Sequence, residues 1–456
     1  MYVSEDYGDT WRVSLHGLET GDIYFNTSYM QPKYNGGVSI LHWLSDIKIN
    51  PFDPNEVWFN SGTGVFMTDA LLNEHPGYHD CCDGIEETVH LNVYGPVAGD
   101  VKLVDIVGDL GGFAFRDLDA PCENSFDDAE GNRYITCINA DLSDSDSGLA
   151  LITARGNWKG KTKGGLVRTR DGFHTFDRIP MYWGLSEKID ARMKDIERPN
   201  VNPGWAAMSH DGQNIVWSIA EGIRLPVDIV ITSCDGGESF VKTQVSDLQG
   251  RPVTQGCLKV YSDQMDAQLF YGFGGEGQLY VSCDGGKCFA QKIPKVFDAD
   301  GQELAGFPAC DFGVIDTANK TEIRGEGGRS GVFYMALADQ GMWKYLYDKE
   351  TDRVTCKKLS APGDSCMRLG LGVGRPGGDY LTEKKALYLC GIIDGEYGFY
   401  RTLDEGRTYE RLNRDDQMYG EINSMDGDKN EFGRFFLATG SRGVIYGQPV
   451  NVKDYT

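Results

Sequence analysis

The sequence predicts an all-β fold, a seven-bladed β-propeller whose sheets carry a repeated aspartate turn, the Asp-box of BNR-type repeats. Three observations lead there. The 456 residues include 59 glycines, 23 tyrosines and 21 phenylalanines and show no long heptad pattern, which suits short strands joined by tight turns. One eight-residue pattern recurs five times. Between its copies lie paired alternating apolar runs, at the spacing of propeller blades of about 50 to 65 residues.

The pattern is hydroxyl, any residue, Asp, any, Gly, any, small, aromatic. It reads "SEDYGDTW" (4–11), "SCDGGESF" (233–240), "SCDGGKCF" (282–289) and "TLDEGRTY" (402–409), with a fifth copy, "TRDGFHTF" (169–176), lacking the second glycine. As a hairpin turn it is self-explanatory: the Asp accepts backbone N–H bonds, glycine takes positive φ and the aromatic packs beneath. Each later box follows a strand-like run, "DIVITS", "QLYVS" or "GFYRT", and an earlier one, "NIVWSIA", "LFYGFGG" or "ALYLCGI". Asp235 and Asp284 are 49 residues apart and Asp284 and Asp404 are 120 apart, so the longer gap holds one degenerate unit at 331–359. The chain opens in mid-unit. Residues 1–37 are expected to be the tail of an upstream blade or a closing strand region, 38–450 the seven-bladed propeller, and 451–456 a C-terminal tail. The opening strand closes on the C-terminal repeat at 432–447 or belongs with upstream sequence.

The formal charge is −24, so phosphate backbones and anionic lipid are repelled, and neither nucleic acid nor a membrane is expected as partner. No apolar run approaches the roughly 18 to 20 residues of a membrane span. "MYVSEDYGDTW" lacks a basic region and an apolar core, so it is not a signal peptide. Twelve cysteines and the sequons at Asn26 and Asn319 favour a secreted protein with a few disulfides, its leader lying outside this sequence.

The chemistry-bearing candidate is "GDLGGFAFRDLD" (108–119), after the apolar run "VKLVDIV". On local sequence alone Asp109 reads as an Asp bonded within its own turn. Apolar flanks, however, desolvate a carboxylate and favour retention of its proton, and flanking glycines let a bulky ring approach the backbone. Loop aromatics that could face sugar rings are Trp43, Trp158, Tyr182, Trp183 and Trp205, with Trp158 and Trp183 in the most polar surroundings. Trp11 fills a box slot and Trp58 and Trp217 lie in strands, so these read as core. "NEHPGYHDCCDG" (73–84) gathers His75, His79, Asp80, Cys81 and Cys82, but Pro76 and Gly77 break the helix that a zinc pair needs. "GVGRPG" (372–377) lacks a surrounding βαβ unit. "DLSDSDSG" and "FDADGQE" lack the full set of calcium ligands. No metal or other cofactor is expected.

Three linked stretches, "INPFDPNEVWFNSGTGVFMTD" (49–69), "DGIEETVHLNVYGP" (83–96) and "LVDIVGDLGGFAFRDLD" (103–119), resemble the second half of glycoside hydrolase family 74, the xyloglucanases. The C-terminal runs at 387–422 and 433–447 look like that family's closing blades. The resemblance implies two propellers facing one another across a cleft for a branched β-1,4-glucan of plant cell walls, xyloglucan above all. It also implies an inverting mechanism with one aspartate from each propeller. The family's "GD-apolar-GGF" motif maps onto Gly108, Asp109, Leu110, Gly111, Gly112 and Phe113. That makes Asp109 the general acid and puts Gly111, Gly112 and Phe113 beside the substrate, with Trp43, Trp158, Tyr182 and Trp183 as further sugar contacts. After Phe113, "AFRD" departs from the family's more polar run. Asp46, Asp83, Glu86, Glu87, Asp105, Asp117 and Asp119 are nearby acids, but none sits in a motif matching the family's general base. The base is expected on an N-terminal propeller missing from this sequence. The alternative is a glycan-binding propeller that does not cut.

Overall fold

The computed structural model describes all residues except 17–21, 31–42, 123–124, 158–160, 199–200, 220–228, 257, 275–276, 307–320 and 450–456. The chain is nearly all β and divides into two compact units, Met1–Val89 with Ser441–Gly443 and His90–Gly440 with Val444–Thr456. The boundary expected after residue 37 falls among residues outside the description; by packing, the division follows Val89. The strands of 47–68 therefore belong to the first unit.

In the first unit, Tyr2–Val3 pairs with Arg12–Val13. A second sheet runs in the order Ile23–Tyr24, Tyr78–Asp80, Gly64–Thr68, Asp53–Ser61, Ile47–Asn50. Its core joins Leu15, Met30, Val57, Phe59, Phe66 and Tyr78. Trp11 and Trp58, expected in a core, are exposed. Trp58 lies opposite Lys48 on the outward face, and its indole N–H donates to Glu56 Oε1 at 2.6 Å.

In the second unit, small antiparallel sheets follow one another along the chain. Ladders of buried, β-branched-rich strands such as Val230–Ser233 and Ile215–Ser218 form because both faces of each strand meet a neighbouring sheet. The sheet of His90–Tyr94, Leu103–Val107 and Gly111–Phe115 joins the next one through a single parallel pairing, Gly111 with Thr136. The first strands of successive sheets lie side by side, and Ile422–Gly427 packs on His90–Tyr94. The C-terminal strands thus close on the sheet of His90. Arg324 ties this arrangement together by donating to the carbonyls of Val93, Leu369 and Met425 and to Glu322.

The five aspartate turns share one geometry. The hydroxyl at the first position donates to the Asp carboxylate, as in Ser233 to Asp235 at 2.7 Å and Thr169 to Asp171 at 2.9 Å. The Asp accepts the N–H four residues on, from Thr10, Thr175, Ser239, Cys288 and Thr408. In the fifth copy Phe173 takes the glycine position at φ 69°, so the side-chain bonds hold the turn even where glycine is absent.

One helix, Glu187–Ile196, was not anticipated. Ser186 caps it by accepting the N–H of Ile189, and Ile189, Met193 and Ile196 fill the space between two sheets. Trp205 opens the strand Trp205–Met208 beneath Lys259, with its indole N–H on the Val260 carbonyl. Cys81, Cys82, Cys137, Cys234, Cys283, Cys288, Cys366 and Cys390 are free thiols, against the expectation of disulfides among them.

Candidate functional site

Asp109 stands at the tip of the turn joining Leu103–Val107 to Gly111–Phe115, the second and third strands of its sheet. The box turn of the adjoining sheet follows Thr169, which pairs with Ala150. Thr136, beside the Asp109 turn, pairs with Arg155 at the opposite end of that strand. Asp109 therefore lies at the sheet edge away from that box. Its φ is 58°, a left-handed conformation that Asp tolerates better than most residues. Its N–H donates to the buried Thr136 Oγ1 at 3.0 Å, and the Leu110 N–H donates to the Gly108 carbonyl. The side chain is exposed, so this chain does not supply the enclosure its apolar flanks implied.

The two glycines after Asp109 have a structural reason. A Cβ on Gly111 would stand 2.6 Å from the Tyr134 carbonyl, and one on Gly112 2.6 Å from the Phe126 ring. Both glycines and Phe113 are buried. The close approach they permit is by the chain's own hairpin 126–134.

That hairpin is the part of the neighbourhood the sequence reading missed. Asp127 pairs with Arg133 across it, the Phe126 N–H donates to the Gly112 carbonyl, and the Asp128 carboxylate accepts the N–H groups of Glu130 and Asn132. Arg133 is buried. Burial pushes its guanidinium down to about 10, and the carboxylates of Asp127 and Asp109 act against that fall. Asp127 is raised above the usual carboxylate range by burial, which outweighs its bond from Ser125 at 2.8 Å and the charge of Arg133. The only sequence signal was the Asp-x-x-Gly turn at 128–131, which marks a hairpin but not its position beside Asp109.

Trp158 lies outside the described residues. The ends of its insertion are anchored on the same hairpin: Asn157 donates to the Arg133 carbonyl at 3.1 Å and Thr162 to Asp128 at 3.0 Å. Tyr182 and Trp183 are exposed, Trp183 at 46%, in the link from Asp177–Arg178 to the helix. The neighbouring Gly184 N–H is held by Asp190. Trp43 is exposed in the first unit.

The other nearby acids are engaged elsewhere. Asp105 is fully buried and bound by His90 Nδ1 at 2.8 Å. Asp46 pairs with Lys48, Asp117 caps the N–H of Asp119, and Asp119 accepts from Tyr446. Glu86 accepts the Gly84 N–H, and Asp83 and Glu87 are exposed. The second unit also holds a cavity of about 240 Å³ along the first strands of its sheets, lined by Tyr94, Asp141, Asp144, Tyr261 and Arg324 among others. Asp109 does not line it. Burial lifts Asp141 to about 7 and Asp144 to about 6; for Asp141, bonds from Met208 and Ser262 offset part of the rise.

No protein-family model matches the chain. Among curated proteins it is similar to a xyloglucanase from Paenibacillus sp, 25% identical over 481 residues, covering 99% of this chain and 40% of that protein. It is also similar to the oligoxyloglucan-reducing end-specific xyloglucanase of Emericella nidulans, 26% identical over 424 residues, covering 89% of this chain and 47% of that protein. Among solved structures, the family 74 xyloglucanase from Xanthomonas campestris matches with a TM-score of 0.70 at 24% identity, over 98% of this chain and 55% of that one. The family 74 enzyme of Niastella koreensis gives 0.67 at 20%, over 98% and 54%. These structures establish the likeness of fold. The chain spans about half the length of the curated relatives it matches, and along nearly all of its own length it resembles the xyloglucanases of glycoside hydrolase family 74.

Proposed function

We propose that this chain is one half of a glycoside hydrolase that cleaves xyloglucan or a related β-1,4-glucan with inversion, with Asp109 as general acid. The second unit is read as a seven-bladed propeller whose outer turns are Asp-boxes, and the substrate lies across the face that carries Asp109. The observation that carries the reading is an exposed carboxylate on a constrained turn at the sheet edge opposite the neighbouring structural aspartate turn.

In this mechanism Asp109 delivers its proton to the glycosidic oxygen as the bond breaks. A second carboxylate about 6.5–9.5 Å away takes a proton from the attacking water. That base comes from the portion of the longer relatives that this chain does not span, and closure of that portion over the cleft supplies the desolvation that Asp109 lacks alone. Trp183 and Tyr182, exposed in the second unit, are stacking surfaces for glucosyl units in this reading, and Trp158 and Trp43 are further candidate contacts by residue type alone. The protein works outside the cell, where its polymer substrate is found.

The exposure of Asp109 favours a second reading, a propeller that binds glycan without cutting. Incubation of tamarind xyloglucan with the chain in the presence of the portion of a longer relative that it does not span separates the two. Release of reducing ends that Asp109→Asn abolishes supports the enzyme; retained binding without release supports the second reading. Release indifferent to the substitution removes Asp109 from the acid's role.

A further inference from the structure

The cavity of the second unit, which Asp109 does not line, has chemistry of its own. Among the described residues six carboxylates and four basic side chains line it. Most of these acids are matched. Glu322 is bound by Arg324 at 2.7 Å and Asp426 by Lys429 at 2.7 Å. Asp263 accepts the Gly331 N–H and the Tyr271 hydroxyl, and Glu326 accepts the Tyr334 hydroxyl. Asp141 and Asp144 have no cation bonded to them. Asp141 accepts from the Met208 N–H, the Ser262 hydroxyl and the Gln264 amide, all neutral donors. The Asp144 carboxylate receives no hydrogen bond among the described residues, while its backbone N–H donates to Gln264 Oε1 at 3.1 Å. One amide side chain thus links the two acids.

The cations that act on Asp144 through space, Lys429 and Lys385, are engaged elsewhere, and Asp426 and Asp263 add repulsion. Lys429 donates to Asp426 and to the carbonyls of Leu371 and Gly427, which uses all three of its protons. Lys385 donates to the carbonyls of Tyr380 and Glu383. Burial dominates the titration of Asp141 and Asp144, yet both keep part of their surface open, because the space beside them is the cavity they line. An ionised carboxylate in such a place is costly without a cation.

We propose that this cavity binds a compact organic ammonium ion, an aliphatic amine or diamine, with Asp144 and Asp141 as its anionic contacts. At about 240 Å³ the space lies below the roughly 300–1,000 Å³ of sites for drug-sized ligands, which limits the occupant to a short chain. An ammonium head brings three N–H donors to a carboxylate that has none, together with the charge that the lining lacks. A neutral polyol brings donors without that charge. No group of three His, Cys, Asp or Glu side chains among the described residues could hold a metal ion instead. The site is separate from Asp109. Thr136, at one end of Thr136–Leu142, receives the Asp109 N–H, and Asp141 lies about 16 Å along that strand. The inference therefore does not rest on the hydrolase reading.

The test is calorimetric titration of the full chain at pH 8 with 1,4-diaminobutane, beside its uncharged counterpart 1,4-butanediol and calcium chloride. The expected result is one equivalent of diamine bound, no binding of the diol, and affinity weakened roughly tenfold or more by Asp144→Asn. Asp300→Asn, at an exposed acid outside the cavity, is expected to leave the affinity unchanged. Melting curves check the fold of Asp144→Asn; Asp141→Asn gives a second variant if that fold is lost, and the diol comparison needs no variant. Absence of diamine binding overturns the inference, as does affinity indifferent to both cavity variants. Equal binding of the diol makes the site one for neutral ligands. Many weak equivalents, or a matching loss in Asp300→Asn, reduce the binding to attraction by the acidic surface. Calcium bound in place of the diamine gives the site to a metal. Each of these last three results also overturns it.

Discussion

At the scale of single residues, the glycine pair behind Asp109 is tightly constrained. Gly112→Ala places a methyl group 2.6 Å from the Phe126 ring and 2.9 Å from the Asp105 carbonyl. Relief requires moving the 126–134 hairpin or the strand. The expected cost is about 2 kcal/mol, read as a lower denaturant midpoint. Asp141 offers a test by pH. Its folded-state value of about 7 lies above the unfolded value, so between about pH 4 and 7 the folded protein binds more protons than the unfolded chain. Its contribution therefore makes stability fall as pH rises through that window. Asp141→Asn is expected to flatten that slope, by roughly 4 kcal/mol across the window, in urea titrations at several pH values; a slope unchanged by the substitution contradicts the assignment. Asp109 was legible because its surroundings differ from those of the box aspartates. The burial of its glycines was not legible, since the residues they accommodate lie 14 to 23 positions further along the chain and carry no motif.

At the scale of elements, the aspartate turns were read correctly from five short stretches because each turn is closed by local hydrogen bonds. Phe173 shows that the aspartate and hydroxyl carry more of the geometry than the glycine. Asp171 and Asp235 are held down to about 2: burial raises them, but hydrogen bonds from Thr175 and Thr169, and from Ser239 and Ser233, outweigh it. A folded value below the unfolded one contributes stability above about pH 4 that is lost as pH falls toward 2. Asp235→Asn is therefore expected to lower the melting temperature at pH 7 and to make little difference near pH 2. An equal deficit at both pH values would mean that packing, not the charged acceptor, holds the turn. The helix Glu187–Ile196 was missed although Ser186, the early acids and the spacing of Ile189, Met193 and Ile196 all announce one. The sequence reading followed the repeats and gave that stretch no assignment.

At the scale of the whole molecule, repeats in the sequence identify sheets but do not say which core each sheet joins. That is why the strands of 47–68 were expected to open the propeller, whereas their side chains pack with Leu15, Met30 and Tyr78 in the first unit. The family resemblance was legible because three motifs keep their order over 49–119. No acid of this chain was legible as a partner carboxylate, because none sits in a motif that matches the family's general base. The account's central claim is that Asp109 is the proton donor of a glucan-cleaving site. The most direct measurement is reducing-end release from tamarind xyloglucan by the chain together with its complementary half, wild type against Asp109→Asn. The prediction is a loss of at least about a hundredfold in kcat, with KM little changed, as expected for removal of a group acting in the transition state. An Asp109→Asn protein that releases reducing ends at the wild-type rate would contradict it.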